Sequence, residues 1–232
     1  MARHSMNIVP KKMLRLSSAL LLSSGLSVAS AAPYDDAVLA FENRDYDTAL
    51  SLSLPLAQGQ DVAAMTLVGR VYDEGYNQPQ KALAWFKKAA ELGDAQAQLE
   101  LAELYEAGDG VKKDLEQAIK WYEKAAAQDH DEAQLALALH YLEDLEEPTE
   151  ALPLLEKSAK QGNATAQYRL GLLYLGEADI KADKLKAWLY FSLAASDVPE
   201  AAQARDVLEL EMSSSELQQA ALKLKQAHTE LY

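Results

Sequence analysis

Two kinds of segment alternate along this chain, and the distance from one kind to the next is constant. Segment B carries Trp85, Trp121 or Leu154 at its centre, and segment A ends on a tyrosine. The separation from the centre of segment B to the following tyrosine is identical in three pairs: Trp85 and Tyr105, Trp121 and Tyr141, and Leu154 and Tyr174. A constant separation between recurring segments is the sequence signature of a structural repeat.

Both segments have the pattern of amphipathic helices. Each segment A has an apolar residue four positions before its tyrosine and Gly or Ala three positions before it, so one helical face carries a small residue where another helix must come close. The copies of segment A are Val68–Tyr72, Leu101–Tyr105, Leu137–Tyr141 and Leu170–Tyr174, and those of segment B are Lys81–Ala90, Gln117–Ala126, Glu150–Ala159 and Lys186–Ala195. Alanine and leucine are abundant and glycine is sparse, so the composition also favours an all-α chain.

The connection from segment A to segment B varies in length, unlike the connection from segment B to segment A. It is shorter in the first and third copies, Tyr72 to Trp85 and Tyr141 to Leu154, than in the second and fourth, Tyr105 to Trp121 and Tyr174 to Tyr190. A fixed packing unit with a variable loop along one edge is what a stacked helical solenoid requires.

One of the longer loops, Gly108–Asp114, could suggest a phosphate site because it combines two glycines with two lysines. It lacks the G-x-x-x-x-G-K-[ST] pattern after a strand that such a site needs. We therefore predict a turn, with Gly108 as a left-handed C-cap and Asp114 as the next N-cap.

Residues 95–129, AQAQLELAELYEAGDGVKKDLEQAIKWYEKAAAQD, resemble the Sel1-like repeat, a relative of the tetratricopeptide repeat, and the pattern recurs four times over about residues 61–200. The resemblance implies an all-α fold: a right-handed α/α superhelix, or solenoid, of paired antiparallel helices. The expected organisation is a signal peptide at 1–31, a degenerate N-terminal unit at 32–60, Sel1-like repeats at 61–93, 94–129, 130–163 and 164–200, and capping helices at 201–232. Asp144 and Glu177 replace the first loop glycine of the third and fourth repeats, so those turns should differ in backbone.

The C-terminal region is expected to cover the last repeat, because a solenoid's final face has no neighbour. Residues Ser213–Glu216 form a Ser-x-x-Glu capping box that should begin a last helix. Its apolar stripe is predicted to comprise Leu217, Ala221, Leu224 and Leu231.

Residues 1–31 have the features of a cleaved secretory signal peptide of a bacterial protein. Lys11, Lys12 and Arg15 precede the apolar run Leu16–Val28, which is followed by the small residues of Ala29–Ala31. The run is shorter than the roughly 20 residues needed to span a bilayer. We expect cleavage after Ala31 and a periplasmic or secreted protein with no stable membrane anchor; a soluble leader is the alternative.

The cysteine count and the charge limit the partners. The sequence contains no cysteine, which excludes disulfides, thiolate metal sites and a lipid anchor on a cysteine. The formal net charge is −14, and loss of four basic residues with the leader would leave 18 basic and 36 acidic residues. Such a surface repels nucleic acid and anionic lipid. It favours basic protein partners, or it only keeps the protein soluble.

Candidate catalytic and metal-binding residues are few. His130 is interpreted as a solvated helix end, His140 as a partly buried packing residue, and His228 has no partner in the pattern. The acidic run Glu143–Pro148 lacks the alternating ligands and the glycine of a calcium loop and is predicted to be a solvated loop. No metalloprotease, serine hydrolase or β-lactamase motif is present, so we expect no enzyme activity, no cofactor and no metal.

The resemblance also implies where a partner would bind, namely in the concave groove lined by the A helices. Positions six and two before each tyrosine and one after it fall on one helical stripe. The predicted groove residues are Arg70, Asp73, Glu103, Glu106, Leu135, Leu139, Leu142, Tyr168, Leu172 and Leu175, with Thr66, Glu74 and Leu99 beside them. The groove should be polar and acidic near the N-terminal end and apolar near the C-terminal end. The alternative is that the C-terminal helix or neighbouring helices cover the leucines.

These features together indicate a protein–protein interaction scaffold or adaptor in the periplasm, most simply a monomer. Two alternatives remain open, a structural subunit of an envelope complex and a cell-wall or β-lactam-related enzyme. The latter is disfavoured because β-lactam-related members of the resembled family are cysteine-rich, and this chain has no cysteine.

Overall fold

The structure, a computed structural model, describes residues 32–231, so the predicted signal peptide at 1–31 lies outside the described residues. Twelve α-helices follow one another in this part of the chain, and it contains no strand. The helices are α1 (Ala32–Glu42), α2 (Tyr46–Gln58), α3 (Val62–Arg70), α4 (Pro79–Glu91), α5 (Ala95–Ala107), α6 (Leu115–Ala126), α7 (Asp131–Glu143), α8 (Pro148–Lys160), α9 (Ala164–Tyr174), α10 (Lys184–Ala194), α11 (Pro199–Glu209) and α12 (Ser214–Leu231). A π-helical turn, Val71–Gly75, extends α3, and a 3₁₀ turn, Glu177–Asp179, precedes α10.

Consecutive helices from α1 to α11 pack against each other, which stacks helix pairs into a superhelix. The all-α solenoid predicted from the repeat is thereby confirmed. Segments A lie on α3, α5, α7 and α9, which we call the A helices, and segments B lie on α4, α6, α8 and α10, the B helices. The pair α1 and α2 precedes this array and packs onto α3.

The A and B helices of one repeat approach closely where segment A has its small residue. A Cβ atom added to Gly69 would overlap the ring of Phe86, and one added to Gly171 would overlap the ring of Phe191. Both rings are fully buried. In the second and third repeats the small residue is an alanine, and its facing B-helix residue is Tyr122 or Leu155. Each small residue thus leaves the space that a large B-helix side chain fills.

The turn predictions are confirmed in the second repeat. Gly108 adopts the left-handed conformation (φ 79°, ψ 27°), and the Asp114 side chain accepts a hydrogen bond from the backbone N–H of Gln117 at 3.0 Å. In the third repeat, where Asp144 replaces the glycine, the backbone of this residue is right-handed, so the turn differs as predicted. The fourth repeat recovers a left-handed glycine one residue before Glu177, at Gly176.

The C-terminal helix begins as predicted. The Ser213 backbone N–H and hydroxyl donate to Oε2 of Glu216 at 2.8 and 2.7 Å, which is the capping box. The helix packs against α10. Leu217 and Leu224 pack against the core as predicted, but the fully buried alanine between them is Ala220, and the predicted Ala221 is exposed. The side chain of Leu231 lies outside the described residues.

The space shared by Gly171 and Phe191 makes the pair energetically coupled. We expect Gly171→Ala to lower the free energy of unfolding, because overpacking of a well-packed core costs about 1–3 kcal/mol, partly offset by the better helix propensity of alanine. Adding Phe191→Leu reproduces the alanine–leucine pair of the third repeat. The double variant should be more stable than the sum of the single effects predicts, by about 1 kcal/mol, in denaturant unfolding followed by circular dichroism.

Thr165→Val, at an exposed position of the same helix, is the control and should change stability little. Strict additivity of the Gly171 and Phe191 substitutions would contradict the packing argument.

Candidate protein-binding groove

The predicted groove residues lie along one face, the A-helix face, which is formed by α3, α5, α7 and α9 with the π-helical turn after α3. At its N-terminal end Arg70, Asp73 and Glu106 are half-buried and Glu103 is exposed. Thr66 and Leu99, the positions six before the tyrosine in the first two repeats, are buried. Their assignment to the groove was wrong, because the neighbouring helix pair packs over this position.

Arg70 is held within the protein. Its Nη2 donates to Oε1 of Glu74 at 2.8 Å, and its Nε lies 3.5 Å from Oε1 of Glu100. The guanidinium carbon also lies 4.5 Å from the ring centroid of Phe41 on α1, a cation–π contact. Arg70 therefore ties the first repeat to the second and to the N-terminal helix pair.

A cavity of about 400 Å³ lies beside Arg70, between α1, α3 and the start of α5. Tyr34, Phe41 and Leu67 line it together with polar groups that include Thr66 and Asp94. The repeat pattern did not indicate this cavity, because one wall comes from α1, which carries no segment A. In the sequence, the cavity was indicated only by the aromatic residues of α1, Tyr34 and Phe41.

Glu103 differs from the other acidic groups of the A-helix face. Its side chain is exposed, yet the surrounding helices restrict its hydration and raise its pKa to about 8, assisted by the charges of Glu100, Glu132 and Glu106. It has no hydrogen-bond or ion-pair partner among the described residues. Burial likewise raises the pKa of Asp73, with help from Glu74.

Glu106 belongs to a polar cluster with His140, Tyr122 and Asp144. The Tyr122 hydroxyl donates to Oε2 of Glu106 at 2.6 Å, and Nε2 of His140 lies 3.5 Å from the same oxygen. Nδ1 of His140 lies 2.7 Å from Oδ2 of Asp144. His140 is buried, as expected, but its interpretation as a packing residue missed these ionic contacts.

The C-terminal part of the A-helix face is apolar and only partly covered. Leu135, Leu142, Tyr168 and Leu172 are half-buried and pack against the core that α8 to α12 share. Leu139 is half-buried and Leu175 is 44% exposed. Because α12 packs chiefly against α10, the leucines keep solvent-facing surface. The sequence left open whether these apolar groove residues are covered by other helices or accessible to a partner. Each alternative holds for part of the set.

The other sequence candidates have structural roles. His130 occupies the N-cap position of α7 without a side-chain cap, and its Nε2 lies 3.2 Å from Oε1 of Gln96. It is half-buried rather than solvated. The His228 side chain lies outside the described residues. Within residues 32–231, no three described His, Asp or Glu side chains are grouped as metal ligands would be. No described helix combines the length and apolar character needed to cross a membrane.

Comparison with known proteins agrees with this geometry. The family model described as "Sel1 repeat" matches residues 62–94, 95–130, 131–163 and 164–197. Among solved structures, a Sel1 repeat protein from Oxalobacter formigenes is 29% identical with a TM-score of 0.64, over 72% of this chain and 69% of the other. The protective antigen c5321 of uropathogenic Escherichia coli, described as displaying an SLR fold, is 26% identical with a TM-score of 0.54; the match covers 86% of this chain but only 53% of c5321. No curated protein matched the sequence.

The ionisation of Glu103 should make stability depend on pH. Because the folded-state pKa is raised to about 8, the folded protein binds the proton more tightly, and stability falls as pH rises from about 4.5 to 8. Glu103→Gln cannot ionise, so the variant does not lose this stability as pH rises. The variant's stability advantage should grow over that range and level off above pH 8, reaching about 1 kcal/mol because solvent screens an exposed group.

Unfolding in urea at several pH values measures the difference. Glu91→Gln, on the exposed surface of α4, is the control and should give a much smaller change. Parallel pH profiles of wild type and Glu103→Gln would contradict the assignment.

Proposed function

Because the chain belongs to the Sel1 repeat family, we propose that it is a protein–protein interaction scaffold that binds a segment of a partner protein in the concave groove of its A helices. Sel1 repeats generally mediate interactions between proteins, and the solenoid fold is typical of binding rather than catalysis. The proposed groove residues are Arg70, Asp73, Glu103, Glu106, Leu135, Leu139, Leu142, Tyr168, Leu172 and Leu175. The proposed location is the periplasm or the exterior, which rests on the leader-like sequence of residues 1–31.

One observation carries the proposal: a carboxyl group with no partner among the described residues and partly exposed leucines occupy groove positions of successive A helices in the repeat register. Arg70 and Glu106 are satisfied by neighbours, whereas Glu103 has no partner among the described residues. Leu139 and Leu175 offer apolar surface on the next two A helices. A segment with a basic residue followed by apolar residues would favour the ionised form of Glu103, pair with it and bury the leucines.

The apolar half of the groove is tested with Leu139→Asp combined with Leu175→Asp. These leucines are preferable to Leu172, which packs against the core. We expect at least about a tenfold loss of the partner in affinity purification from the cell envelope, measured by quantitative mass spectrometry, because a charge in a desolvated contact costs more than about 1.4 kcal/mol. Circular dichroism should show an unchanged fold.

Leu92→Asp provides the matched control, since Leu92 is 60% exposed but lies in the turn between α4 and α5, away from the A-helix face. A protein lost equally from both variants, or retained by both, is not a groove partner. Unfolding of the double variant would instead mean that the leucines are core.

The acidic half is tested by reversing one charge. Glu103→Lys should release a partner that presents a basic residue, whereas Glu91→Lys, an equal charge change on α4, should retain it. Wild-type binding should weaken as salt rises from about 0.05 to 0.5 M, because the electrostatic attraction is screened. Equal retention by the two variants would contradict a basic partner.

A structural subunit of an envelope complex is the second candidate. Val207 and Leu210, at the end of α11, are 61% and 88% exposed and three residues apart, so they form a small apolar surface that a second subunit could cover. Crosslinking in cells distinguishes the two functions. Crosslinks from residue 207 that persist in the Leu139/Leu175 double variant would favour the structural role.

A further inference from the structure

His140 lies between two carboxylates that belong to different helices. Its Nδ1 is 2.7 Å from Oδ2 of Asp144, at the end of its own helix α7, and its Nε2 is 3.5 Å from Oε2 of Glu106 on α5. Its ring also packs against the ring of Tyr122 on α6, with 5.5 Å between the centroids. The imidazole is therefore surrounded by one group from each of three consecutive helices.

This arrangement requires a particular protonation state. A neutral imidazole carries one N–H, so it can donate to only one of two acceptors, and its other nitrogen would then face a carboxylate lone pair. The imidazolium donates from both nitrogens and compensates both negative charges. Lys113, in the loop between α5 and α6, adds a positive charge near Glu106.

The cluster also has the position from which it can affect the relation between repeats. Glu106 and Tyr122 belong to the second repeat and His140 to the third. His140 is only 8% exposed, so its contacts are poorly screened by water. The adjacent residue, Leu139, begins the apolar half of the A-helix face.

We propose that His140 is a proton-dependent clamp that joins the second repeat to the third in the middle of the A-helix face. When the imidazolium is present, α5, α6 and α7 are held together through Glu106. When it loses its proton, one contact disappears and Glu106 is left beside an uncharged ring, so the joint loosens. The clamp acts on the shape of the face and is independent of which partner binds there.

The pH range follows from the signs of the shifts. The interaction with Glu106, and then that with Asp144, raises the pKa of His140 against the opposing effect of burial. Its stabilisation is therefore complete below about pH 6.5 and is lost as pH rises through the raised value. The pKa of Glu106 is lowered, chiefly by His140, so its contribution is lost only in acid. The clamp should be closed at mildly acidic pH and should open as pH rises above about 6.5 through the raised pKa of His140.

The first test follows the titration of the histidine rings by NMR in the full chain. We expect the His140 signals, assigned with His140→Gln, to titrate with a midpoint above the ordinary value of about 6.5. Glu106→Gln should lower the midpoint, whereas Glu91→Gln, on the exposed surface of α4, should leave the His140 midpoint unchanged. A His140 midpoint at or below the ordinary value, or one that Glu106→Gln leaves unchanged, overturns the proposal.

The second test measures whether the proton holds the repeats together. Hydrogen exchange of peptides from α5 and α7, corrected for the intrinsic pH dependence, should lose about tenfold in protection between about pH 6 and 9, as expected for a hydrogen bond to a charged group. The Glu103→Gln background removes a carboxyl group of α5 whose pKa of about 8 falls in this range, and the comparison with His140→Gln separates the histidine from the remaining acidic groups.

In that background, His140→Gln should show reduced protection already at the acidic end of the range and little further loss, whereas His130→Gln should behave like its parent. Equal pH dependence with and without His140 overturns the clamp. If His140→Gln does not fold, Glu106→Gln tests the clamp instead, by the NMR midpoint of His140 and by hydrogen exchange. This variant keeps an acceptor for the Tyr122 hydroxyl and removes the charge.

Discussion

A short joint between each B helix and the next A helix determines how the repeats stack. A buried glutamine one turn into the A helix donates to a carbonyl at the end of the preceding B helix: Gln98 to Ala90 at 3.1 Å, Gln134 to Ala126 at 3.3 Å and Gln167 to Ala159 at 3.0 Å. The Oε1 atoms of Gln98 and Gln134 accept from Gln128 and Gln161, which follow the next B helices. Between the helices, the chain turns at a residue with positive φ, namely Gly93, Asp129 or Gly162. One side chain thus satisfies a helix end and links consecutive repeats, so an inserted residue would break several buried hydrogen bonds. This is the physical reason why the separation between the centre of segment B and the next segment A tyrosine does not vary.

The opposite connection is closed by one backbone hydrogen bond, from the N–H of each B helix's N-cap residue to the carbonyl of the segment A tyrosine, as in Asp114 to Tyr105 at 2.9 Å. Loops of two lengths satisfy this bond, so the length of the connection varies. The A and B helices of one repeat are fixed by side-chain packing at Gly69 or Gly171 against a buried ring, which does not depend on the loop. A loop with glycines at 108 and 110 and a shorter one that reaches Pro79 directly both satisfy the packing. Buried side-chain hydrogen bonds fix the joint from B to A, whereas core complementarity and one backbone hydrogen bond that tolerates two loop lengths fix the joint from A to B. Together they produce a solenoid whose sequence can diverge at the surface.

The same division explains what could be predicted from the sequence. The helix pairs, the left-handed Gly108 and the Asp114 cap depend on residues within one repeat, and these predictions were correct. The burial of Thr66 and Leu99 depends on how far one repeat is rotated against the next, which helical periodicity alone does not specify. The contact of His140 with Glu106 was missed for the same reason, because Glu106 is distant in the sequence and belongs to a different repeat. The contact with Asp144 could have been predicted from its i,i+4 spacing. The cavity beside Tyr34 needs a helix outside the repeat pattern.

The charges of the A-helix face divide into those that hold the solenoid together and those that remain for a ligand. Arg70 joins α1, α3 and α5 through Phe41, Glu74 and Glu100, and Glu106 joins α5 to α6 and α7. Replacing either would disturb the stack as well as any binding, because each leaves a partly buried charge without its partner. Glu103 stands between these two ion-pair networks and belongs to neither. Its pKa is raised first by restricted hydration and then by the charges of neighbouring acidic groups, and no cation of the protein pairs with Glu103 among the described residues. Binding a cation there would lower that pKa and release a proton at neutral pH. Partner affinity would then increase with pH up to about 8, whereas the His140 joint weakens as pH rises above about 6.5, so the two groups oppose each other at the centre of the groove.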